Sequence, residues 1–200
     1  MRFIGITGGV GAGKSAILAY LAEKPNTKVM LADEIAHELM KPETDCYEKI
    51  VEAFQGEDIF QEGEILKAKL AQVIFSDAAK RERMNAIVHP AVKDYVRQQY
   101  ALELQRGELD LLVLEAALLI EEEYDEICDE LWYIYTSEDN RRQRLRKSRG
   151  YSDEKIDNIF RSQLSEEEFR KHTQVTIDNN GGLEETFRQI ENALRREANE

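Results

Sequence analysis

Eight residues near the start of the sequence carry its clearest chemical signal. Residues 8–15 read GGVGAGKS and fit the pattern G-x-x-x-x-G-K-[ST]. A strand-like apolar segment at 2–7 precedes them, and apolar residues at helical spacing follow at 15–21. Glycines in this context let main-chain N–H groups surround phosphate oxygens, and the helix N-terminus adds a partial positive charge. The segment therefore predicts a phosphate-binding loop for ATP or GTP.

The loop pattern also predicts a role for each residue type. Lys14 is long enough to reach the β- and γ-phosphates, and the Ser15 hydroxyl can ligate Mg²⁺. The backbone that surrounds the phosphates is expected to come from four further residues: Gly9, Gly11, Ala12 and Gly13. A nucleoside triphosphate and Mg²⁺ are therefore the expected ligands.

Two acidic residues follow predicted strands. Asp33 comes after the short apolar segment 28–32, and Glu115 comes after the apolar run 111–114. Ligands bind at the carboxyl ends of parallel strands, so Asp33 could accept the proton of an acceptor hydroxyl or orient that hydroxyl for in-line attack. Position alone equally allows Asp33 to be the N-cap of the next helix. Glu115 is expected near Mg²⁺, where it would act through water.

A strongly basic helix is predicted at 138–147. Six of the residues from Arg141 to Arg149 are Lys or Arg, although the chain carries a formal net charge of −13. Arg141 and Arg144 share one helix face at three-residue spacing. An arginine delivered to a transferring phosphoryl group stabilises transition-state charge, and we expect Arg144 and Arg149 to do this. The alternative is a solvated basic helix, which Arg142 and Arg146 fit.

Composition restricts the class of protein. The 200 residues include 27 Lys and Arg against 40 Asp and Glu. This balance argues against a general nucleic-acid binder, because such proteins need a basic surface. No apolar segment is long enough to span a membrane, and Cys46 and Cys128 suggest neither a disulfide framework nor a metal site. We expect a cytoplasmic globular protein with no nucleic-acid or membrane partner.

Strand-like apolar segments alternate with helical patterns along the chain. The five predicted strands cover residues 2–7, 28–32, 111–114, 131–135 and 174–177. This alternation predicts an α/β fold with a five-stranded parallel sheet and helices on both faces. Residues 44–100 show only helical patterning, with helices at 47–54 and 64–75 and a long helix kinked or divided at His89-Pro90. Further helices are predicted at 153–164 and 183–194.

The motifs, the chain length and the helical segments that accompany the phosphate loop indicate which class of P-loop protein this is. A signalling GTPase should carry an Asn-Lys-x-Asp motif, which the sequence lacks. ATPase motors usually need more residues. A compact fold with an inserted helical lobe and a basic helix pair instead fits a small-molecule kinase, in which the lobe holds the acceptor and the basic segment closes over the phosphates.

The order of several short segments resembles the dephospho-CoA kinase family. The matching residues run through nearly the whole chain: 4–15, 32–36, 73–77, 84–90, 118–121, 144–145, 149–150 and 177–179, with Leu70 and Gln163. The resemblance implies a P-loop kinase that phosphorylates the ribose 3′-hydroxyl of dephospho-CoA, using ATP and Mg²⁺, in the last step of coenzyme A biosynthesis. It assigns Asp33 to the acceptor hydroxyl, and Lys14 and Arg144 to the moving phosphoryl group.

The resemblance also implies where each substrate binds. His37, Lys67, His89 and Glu121 match the acceptor side, and Asn179 is expected near the phosphate loop, in contact with adenine. Each has an ordinary alternative. His37 and His89 fit surface or packed histidines, Glu121 fits a solvated acidic run, and Asn179 fits a turn.

A single kinase domain in three parts is implied. Its core covers about 1–40, 107–137 and 165–200, an acceptor-binding helical lobe covers about 41–106, and a helical lid covers about 138–164. Lid and lobe are expected to close over ATP and exclude water.

The sequence departs from the usual residues of the family at four positions: His37, Lys67, Ala117 and Gln174. A kinase for another nucleotide or small metabolite is therefore the second hypothesis, and a nucleotide-binding module without turnover is the third. Intact Lys14, Ser15 and Asp33 argue against the third. Oligomeric state and preference for ATP over GTP stay open.

Overall fold

A computed structural model describes residues 1–196 of the chain. Its strands are β1 (Arg2–Thr7), β2 (Thr27–Leu31), β3 (Phe60–Gln61), β4 (Glu64–Ile65), β5 (Leu111–Glu115), β6 (Glu130–Tyr135) and β7 (Val175–Asp178). Its helices are α1 (Lys14–Ala22), α2 (Ala32–Leu39), α3 (Asp45–Ala53), α4 (Lys67–Ser76), α5 (Ala78–Arg106), α6 (Glu138–Arg149), α7 (Asp153–Arg161), α8 (Glu166–His172) and α9 (Leu183–Arg195), with a 3₁₀ turn at Tyr124–Glu126.

Five strands form the main sheet, in the order β2-β5-β1-β6-β7. β1 pairs in parallel with both of its neighbours, so that Ile4 lies opposite Val113 on one side and Glu130 on the other. Phe3, Ile4 and Ile6 of β1 are fully buried. A parallel strand covered on both faces gives the continuous apolar run seen in the sequence. The predicted five-stranded parallel sheet is confirmed.

Helices cover both faces of this sheet. On one face, Trp132 lies in an apolar cluster with Ile17 of α1 and Ile190 of α9. On the other face, the ring of Tyr133 stacks on Phe169 of α8, with the ring centroids 4.7 Å apart. Successive residues of a strand point to opposite faces of the sheet, so Trp132 packs against the helices on one face and Tyr133 packs against α8 on the other.

Polar and aromatic contacts fasten α9 to α1. The ring of Tyr20 stacks on Phe187 with the centroids 4.0 Å apart. Glu191 accepts hydrogen bonds from Lys24 and from the Tyr20 hydroxyl, and these bonds, the one from Lys24 first, lower the pKa of Glu191. The position of α9 is therefore set by several contacts along its length.

The chain separates into two compact units. One contains Met1–Val29 and the chain from Gly107 onward, and the other contains Met30–Arg106. The second unit ends where the predicted lobe ends but begins within β2, whereas the lobe is predicted from residue 41. It contains α2, α3, α4 and α5 together with β3 and β4.

The second unit is not purely helical, which corrects the prediction for residues 44–100. β3 and β4 form an antiparallel hairpin of two residues per strand. Its turn residues, Glu62 and Gly63, both have positive φ, as a tight two-residue hairpin requires. The hairpin also shortens the helix expected at 64–75, because α4 begins only at Lys67. Strands this short leave no periodic pattern in the sequence.

The long helix α5 continues through Pro90. Of the kink or boundary predicted at His89-Pro90, the boundary is therefore wrong, and the kink stays a prediction. Met84, Val88, Val92 and Val96 are buried at four-residue spacing, and α5 packs against α2, α3 and α4. The free energy gained by burying this apolar face is larger than the cost of the main-chain hydrogen bond that proline cannot donate.

Length alone does not make α5 a membrane helix. It has 29 residues but carries charged side chains throughout. Within residues 1–196, no helix joins the length and the apolar composition that crossing a bilayer requires.

The segment after α6 contains one more helix than expected. The helix predicted at 153–164 ends at Arg161, and α8 follows it. Ser165 caps α8 by accepting a hydrogen bond from the Glu168 N–H at 3.1 Å. This Ser-x-x-Glu spacing is an N-terminal capping signal that the sequence already contains.

Candidate active site

The phosphate loop joins β1 to α1 through a backbone that favours glycine. Gly11 and Gly13 have φ values of 85° and 87°, in the left-handed region. A Cβ on Gly13 would lie 2.5 Å from Nδ2 of Asn179. α1 begins without a capping side chain and without an acidic residue in its first turn. Its first N–H groups are therefore available to an anion.

Three side chains converge on the main-chain carbonyl of Ala12. Its oxygen accepts hydrogen bonds from Thr136 Oγ1 at 3.0 Å, Arg144 Nη1 at 3.1 Å and Asn179 Nδ2 at 2.7 Å. A trans peptide holds its C=O and N–H on opposite sides, and residues 1–196 contain no cis peptide. Because the Ala12 carbonyl points toward these side chains, the Gly13 N–H points to the side of the loop that they leave free.

A second carbonyl of the loop is held by the same helix. Arg141 of α6 donates from Nε to the Val10 carbonyl at 2.9 Å, and the Val10 N–H donates to Gln163 Oε1 at 3.3 Å. Gln163 also accepts a hydrogen bond from Arg141, whose guanidinium lies 4.3 Å from the centre of the Phe160 ring. Burial lowers the pKa of Arg141, which still stays charged near neutral pH. The same peptide geometry directs the Gly11 N–H away from Arg141.

Lys14 is held against the loop. Its Nζ donates to the Gly8 carbonyl at 2.7 Å and lies 3.3 Å from Oε1 of Glu115, at the end of β5. Both side chains are largely buried. An ammonium group in this position can move onto phosphate oxygens, which attract it more strongly than a carbonyl does.

The ligand that the loop provides for Mg²⁺ is a hydroxyl group and not a cluster of acidic side chains. Ser15 is exposed in the first turn of α1. Among the described residues, no three His, Cys, Asp or Glu side chains come together as a metal site. Mg²⁺ usually keeps several waters and binds through one or two protein oxygens and the substrate phosphates. Ser15, with Glu115 acting through water, fits this kind of ligation, and both assignments stay predictions.

Within the unit Met30–Arg106, two of the predicted acceptor residues line one cavity. The cavity has a volume of about 600 Å³, and its lining includes His37, Lys67, Leu70 and Ile65. The lining also holds Lys41 and Glu64, and an apolar wall with two lysines, one carboxylate and one imidazole suits a partly charged ligand. His89 lies half-buried on α5 and is not part of this lining.

Asp33 is the second residue of α2 and is exposed. The N-cap of this helix is Leu31, and no side chain caps it. The alternative role of Asp33 as an N-cap is therefore wrong. His37 lies one turn further along α2, also exposed, so the two side chains share a helix face.

Known proteins match this chain along nearly its whole length. The family model for dephospho-CoA kinase matches residues 2–185. The chain belongs to the dephospho-CoA kinase family. Dephospho-CoA kinases from Oceanobacillus iheyensis and Geobacter sulfurreducens are each 36% identical to it, over 196 and 191 residues that cover 96% of this chain and 96% of each relative. The predicted family and the predicted kinase class are confirmed.

Solved structures share the fold of this dephospho-CoA kinase family member. A dephospho-CoA kinase from Campylobacter jejuni matches with a TM-score of 0.68 at 20% identity, covering 98% of this chain and 96% of that one. A crystal structure from Thermus thermophilus reaches 0.75 at 29% identity, covering 96% of each chain. Shikimate kinase from Acinetobacter baumannii reaches 0.51 at 16% identity, covering 100% and 95%. The predicted P-loop kinase fold is confirmed.

Arg142 and Arg146 of α6 pair with aspartates of α7 and not with the phosphate loop. Arg142 Nη2 lies 2.6 Å from Asp157 Oδ1, and Arg146 Nε lies 2.8 Å from Asp153 Oδ1. They tie α6 to α7 and are not merely solvated, which corrects that expectation. Arg149 is exposed beside the ring of Tyr151, and its hydrogen bond lowers the pKa of that phenol. Its predicted action on the phosphoryl group stays a prediction.

Asn179 follows β7 and is buried. Its Nδ2 donates to Ala12, and its Oδ1 accepts from Thr186 Oγ1 at 2.9 Å. The alternative of an ordinary turn residue is therefore wrong. Its main-chain N–H donates to the Tyr135 carbonyl at 2.8 Å, and its own carbonyl accepts from Arg144 Nη2 at 2.7 Å. The side chain and the main chain of Asn179 are thus both engaged inside the protein, and its contact with adenine stays a prediction.

Two further predicted positions lie away from the phosphate loop. Gln174 exchanges hydrogen bonds with the main chain of Leu131: its N–H donates to the Leu131 carbonyl at 3.0 Å, and its Oε1 accepts from the Leu131 N–H at 2.7 Å. This pairing at the start of β6 gives Gln174 a structural role. Glu121 is exposed in the turn after β5, as its solvated alternative requires, and its acceptor role stays a prediction.

The loop contacts of Arg141, Gln163 and Thr136 are not predicted from the sequence. The three-residue spacing of Arg141 and Arg144 already indicates a shared face, and Gln163 is part of the family resemblance. Thr136 contacts the loop through a single hydroxyl group, which leaves no pattern in a sequence.

Replacing Arg144 with alanine should weaken ATP binding. The Ala12 carbonyl would lose a charged donor, and such hydrogen bonds contribute about 1.5–3 kcal/mol. We expect the Kd for ATP, measured by calorimetry, to rise roughly 10- to 100-fold. Arg146→Ala is the matched control, because Arg146 lies on the same helix but pairs with Asp153. Equal losses in the two variants would contradict a role for Arg144 in holding the loop.

Proposed function

We propose that this chain transfers the γ-phosphoryl group of ATP to the ribose 3′-hydroxyl of dephospho-CoA and so forms coenzyme A. Family membership supports the acceptor and the reaction. The observation that carries the proposal is the phosphate loop, whose Val10 and Ala12 carbonyls are held by Arg141 and Arg144. A loop fixed in this way loses little conformational entropy when it binds a polyphosphate.

The phosphates of ATP would be held by main-chain N–H groups of the loop and by Lys14, which leaves the Gly8 carbonyl for the β- and γ-phosphates. Ser15 would ligate Mg²⁺, and Glu115 would orient one of the waters of the ion. Bound Mg²⁺ neutralises charge on the phosphate oxygens.

The transfer moves one phosphoryl group between two oxygens in line. A bond forms between the ribose O3′ and the γ-phosphorus, while the bond from that phosphorus to the β–γ bridging oxygen breaks and ADP leaves. Asp33 accepts the proton of the 3′-hydroxyl or orients that hydroxyl for attack. Lys14, Arg144 and Arg149 offset the negative charge that shifts onto the departing ADP.

The acceptor would bind in the unit Met30–Arg106, which we propose as the acceptor lobe. Dephospho-CoA carries a pyrophosphate and a long, mostly uncharged pantetheine arm. In the cavity described above, Lys67 and His37 can contact phosphate oxygens, and Leu70 and Ile74 offer apolar surface to the arm. Residues 138–164 of the other unit, with α6 and α7, would act as the lid over the phosphates of ATP.

A phosphate-transfer assay tests this function. The protein is incubated with ATP, Mg²⁺ and one acceptor at a time: dephospho-CoA, AMP, adenosine or pantothenate. We expect mass spectrometry to show the gain of one phosphate on dephospho-CoA alone, with one ADP formed for each product. Transfer to a rival acceptor, or ATP binding with no transfer to dephospho-CoA, would overturn the proposal.

Replacing Asp33 with alanine should remove turnover but spare ATP binding. Lost acid–base assistance slows reactions by about 10²- to 10⁴-fold, so kcat should fall at least 10²-fold. The Kd for ATP should stay close to the wild-type value. Glu34→Ala is the control, because Glu34 is the exposed neighbour of Asp33 in the first turn of α2. Unchanged turnover in Asp33→Ala would remove Asp33 from the mechanism.

Replacing Lys67 with alanine should affect the acceptor and leave ATP unaffected. Loss of one charge-assisted hydrogen bond should raise the KM for dephospho-CoA roughly tenfold, with the KM for ATP unchanged. Lys69→Ala is the control, because Lys69 lies on the same helix but pairs with Asp58 at 2.6 Å. If the KM for ATP rises instead, Lys67 does not serve the acceptor.

A further inference from the structure

We infer that Thr186 is a positioning residue for the phosphate loop and acts through the side chain of Asn179. Thr186 lies in the first turn of α9 and is fully buried, so it cannot itself contact a nucleotide from solvent. The inference rests on the proposed function, because its effect is on the binding of ATP.

The Thr186 hydroxyl has one proton and is surrounded by acceptors. Its Oγ1 lies 2.9 Å from Asn179 Oδ1, and 3.4 Å from each of the main-chain carbonyls of Asp178 and Gly182. A hydroxyl donates one hydrogen bond, and the shortest of these three distances leads to Asn179. The proton of Thr186 is therefore directed at the Asn179 amide oxygen.

This hydrogen bond fixes which way the Asn179 amide faces. At its other end the amide meets the Ala12 carbonyl, which can only accept. Nδ2 must therefore face Ala12, and Oδ1 must face Thr186. A hydroxyl at 186 satisfies the amide oxygen, whereas an apolar side chain would leave that oxygen buried without its donor.

The orientation of the amide is passed on to the loop. Nδ2 of Asn179 gives the shortest of the three hydrogen bonds to the Ala12 carbonyl, at 2.7 Å. That carbonyl sets the direction of the Gly13 N–H on the other side of the peptide plane. The stacking of Tyr20 on Phe187 places α9, so Thr186 reaches Asn179 from a helix that is itself held.

The test compares variants that keep or remove the hydroxyl. Thr186→Val keeps the shape of the side chain without the donor. We expect its Kd and KM for ATP to rise roughly fivefold or more, while kcat at saturating ATP and the KM for dephospho-CoA stay within about twofold. Thr186→Ser keeps the donor and should bind ATP as the wild type does.

Two further comparisons separate positioning from general destabilisation. Thr173→Val is the matched control, because the Thr173 hydroxyl donates at 2.8 Å to the Phe169 carbonyl, away from the loop. In a double-mutant cycle, Thr186→Val should weaken ATP binding far less when Asn179 is already alanine, because the side chain that links Thr186 to Ala12 is then absent.

If Thr186→Val does not fold, Thr186→Cys replaces it, since a thiol fills the site but donates weakly.

The outcomes distinguish this inference from the proposed function. ATP binding by Thr186→Val at the wild-type level, equal losses in Thr186→Val and Thr186→Ser, or full additivity with Asn179→Ala would each overturn the role of Thr186. The proposed function would survive all three results. If the wild-type protein binds no ATP or does not phosphorylate dephospho-CoA, the proposed function fails first.

Discussion

A peptide unit cannot turn its N–H toward a phosphate without turning its carbonyl the other way. In this chain, the carbonyl of Ala12 receives three hydrogen bonds from within the protein. Thr136 comes directly after β6, Asn179 comes directly after β7, and Arg144 comes from α6. The first two meet because parallel strands present their carboxyl ends at one edge of the sheet. The strand order places β6 beside β1, and so brings this edge to the phosphate loop.

The loop is thereby held by hydrogen bonds that the protein itself supplies. Arg141 and Gln163 hold both the carbonyl and the N–H of Val10, and the Ala12 cluster holds the next bend. Ordering these glycine-rich residues costs conformational entropy when the protein folds. The free energy gained by burying the core of the unit offsets this cost. Binding energy from the nucleotide is then available for orienting the transferred group.

The sequence predicted the parts of the fold and site that leave a pattern. The apolar runs that become β1, β5 and β6, the phosphate loop, and the basic face with Arg141 and Arg144 are of this kind. The hairpin of β3 and β4 was missed because strands of two residues have no periodicity and its Glu-Gly turn is an uncommon hairpin signal. The long helix of α5 was predicted, but its continuity through Pro90 was not, because only the folded unit shows that burial of its apolar face outweighs the effect of the proline. Asn179 was placed near the loop, but its bond to Ala12 joins residues 167 positions apart, which only the folded sheet brings together.

Helix α6 serves two neighbours from two sides. Arg141 and Arg144 hold the phosphate loop, while Arg142 and Arg146 pair with aspartates at 153 and 157 on α7. A helix advances about 100° per residue, so inserting or deleting one residue inside this segment would rotate later side chains by more than a quarter turn. One such change would therefore break both the hydrogen bond from Arg144 to the Ala12 carbonyl and the pairing of Arg146 with Asp153. During evolution this stretch should therefore accept changes in its outward residues far more readily than any change in its length.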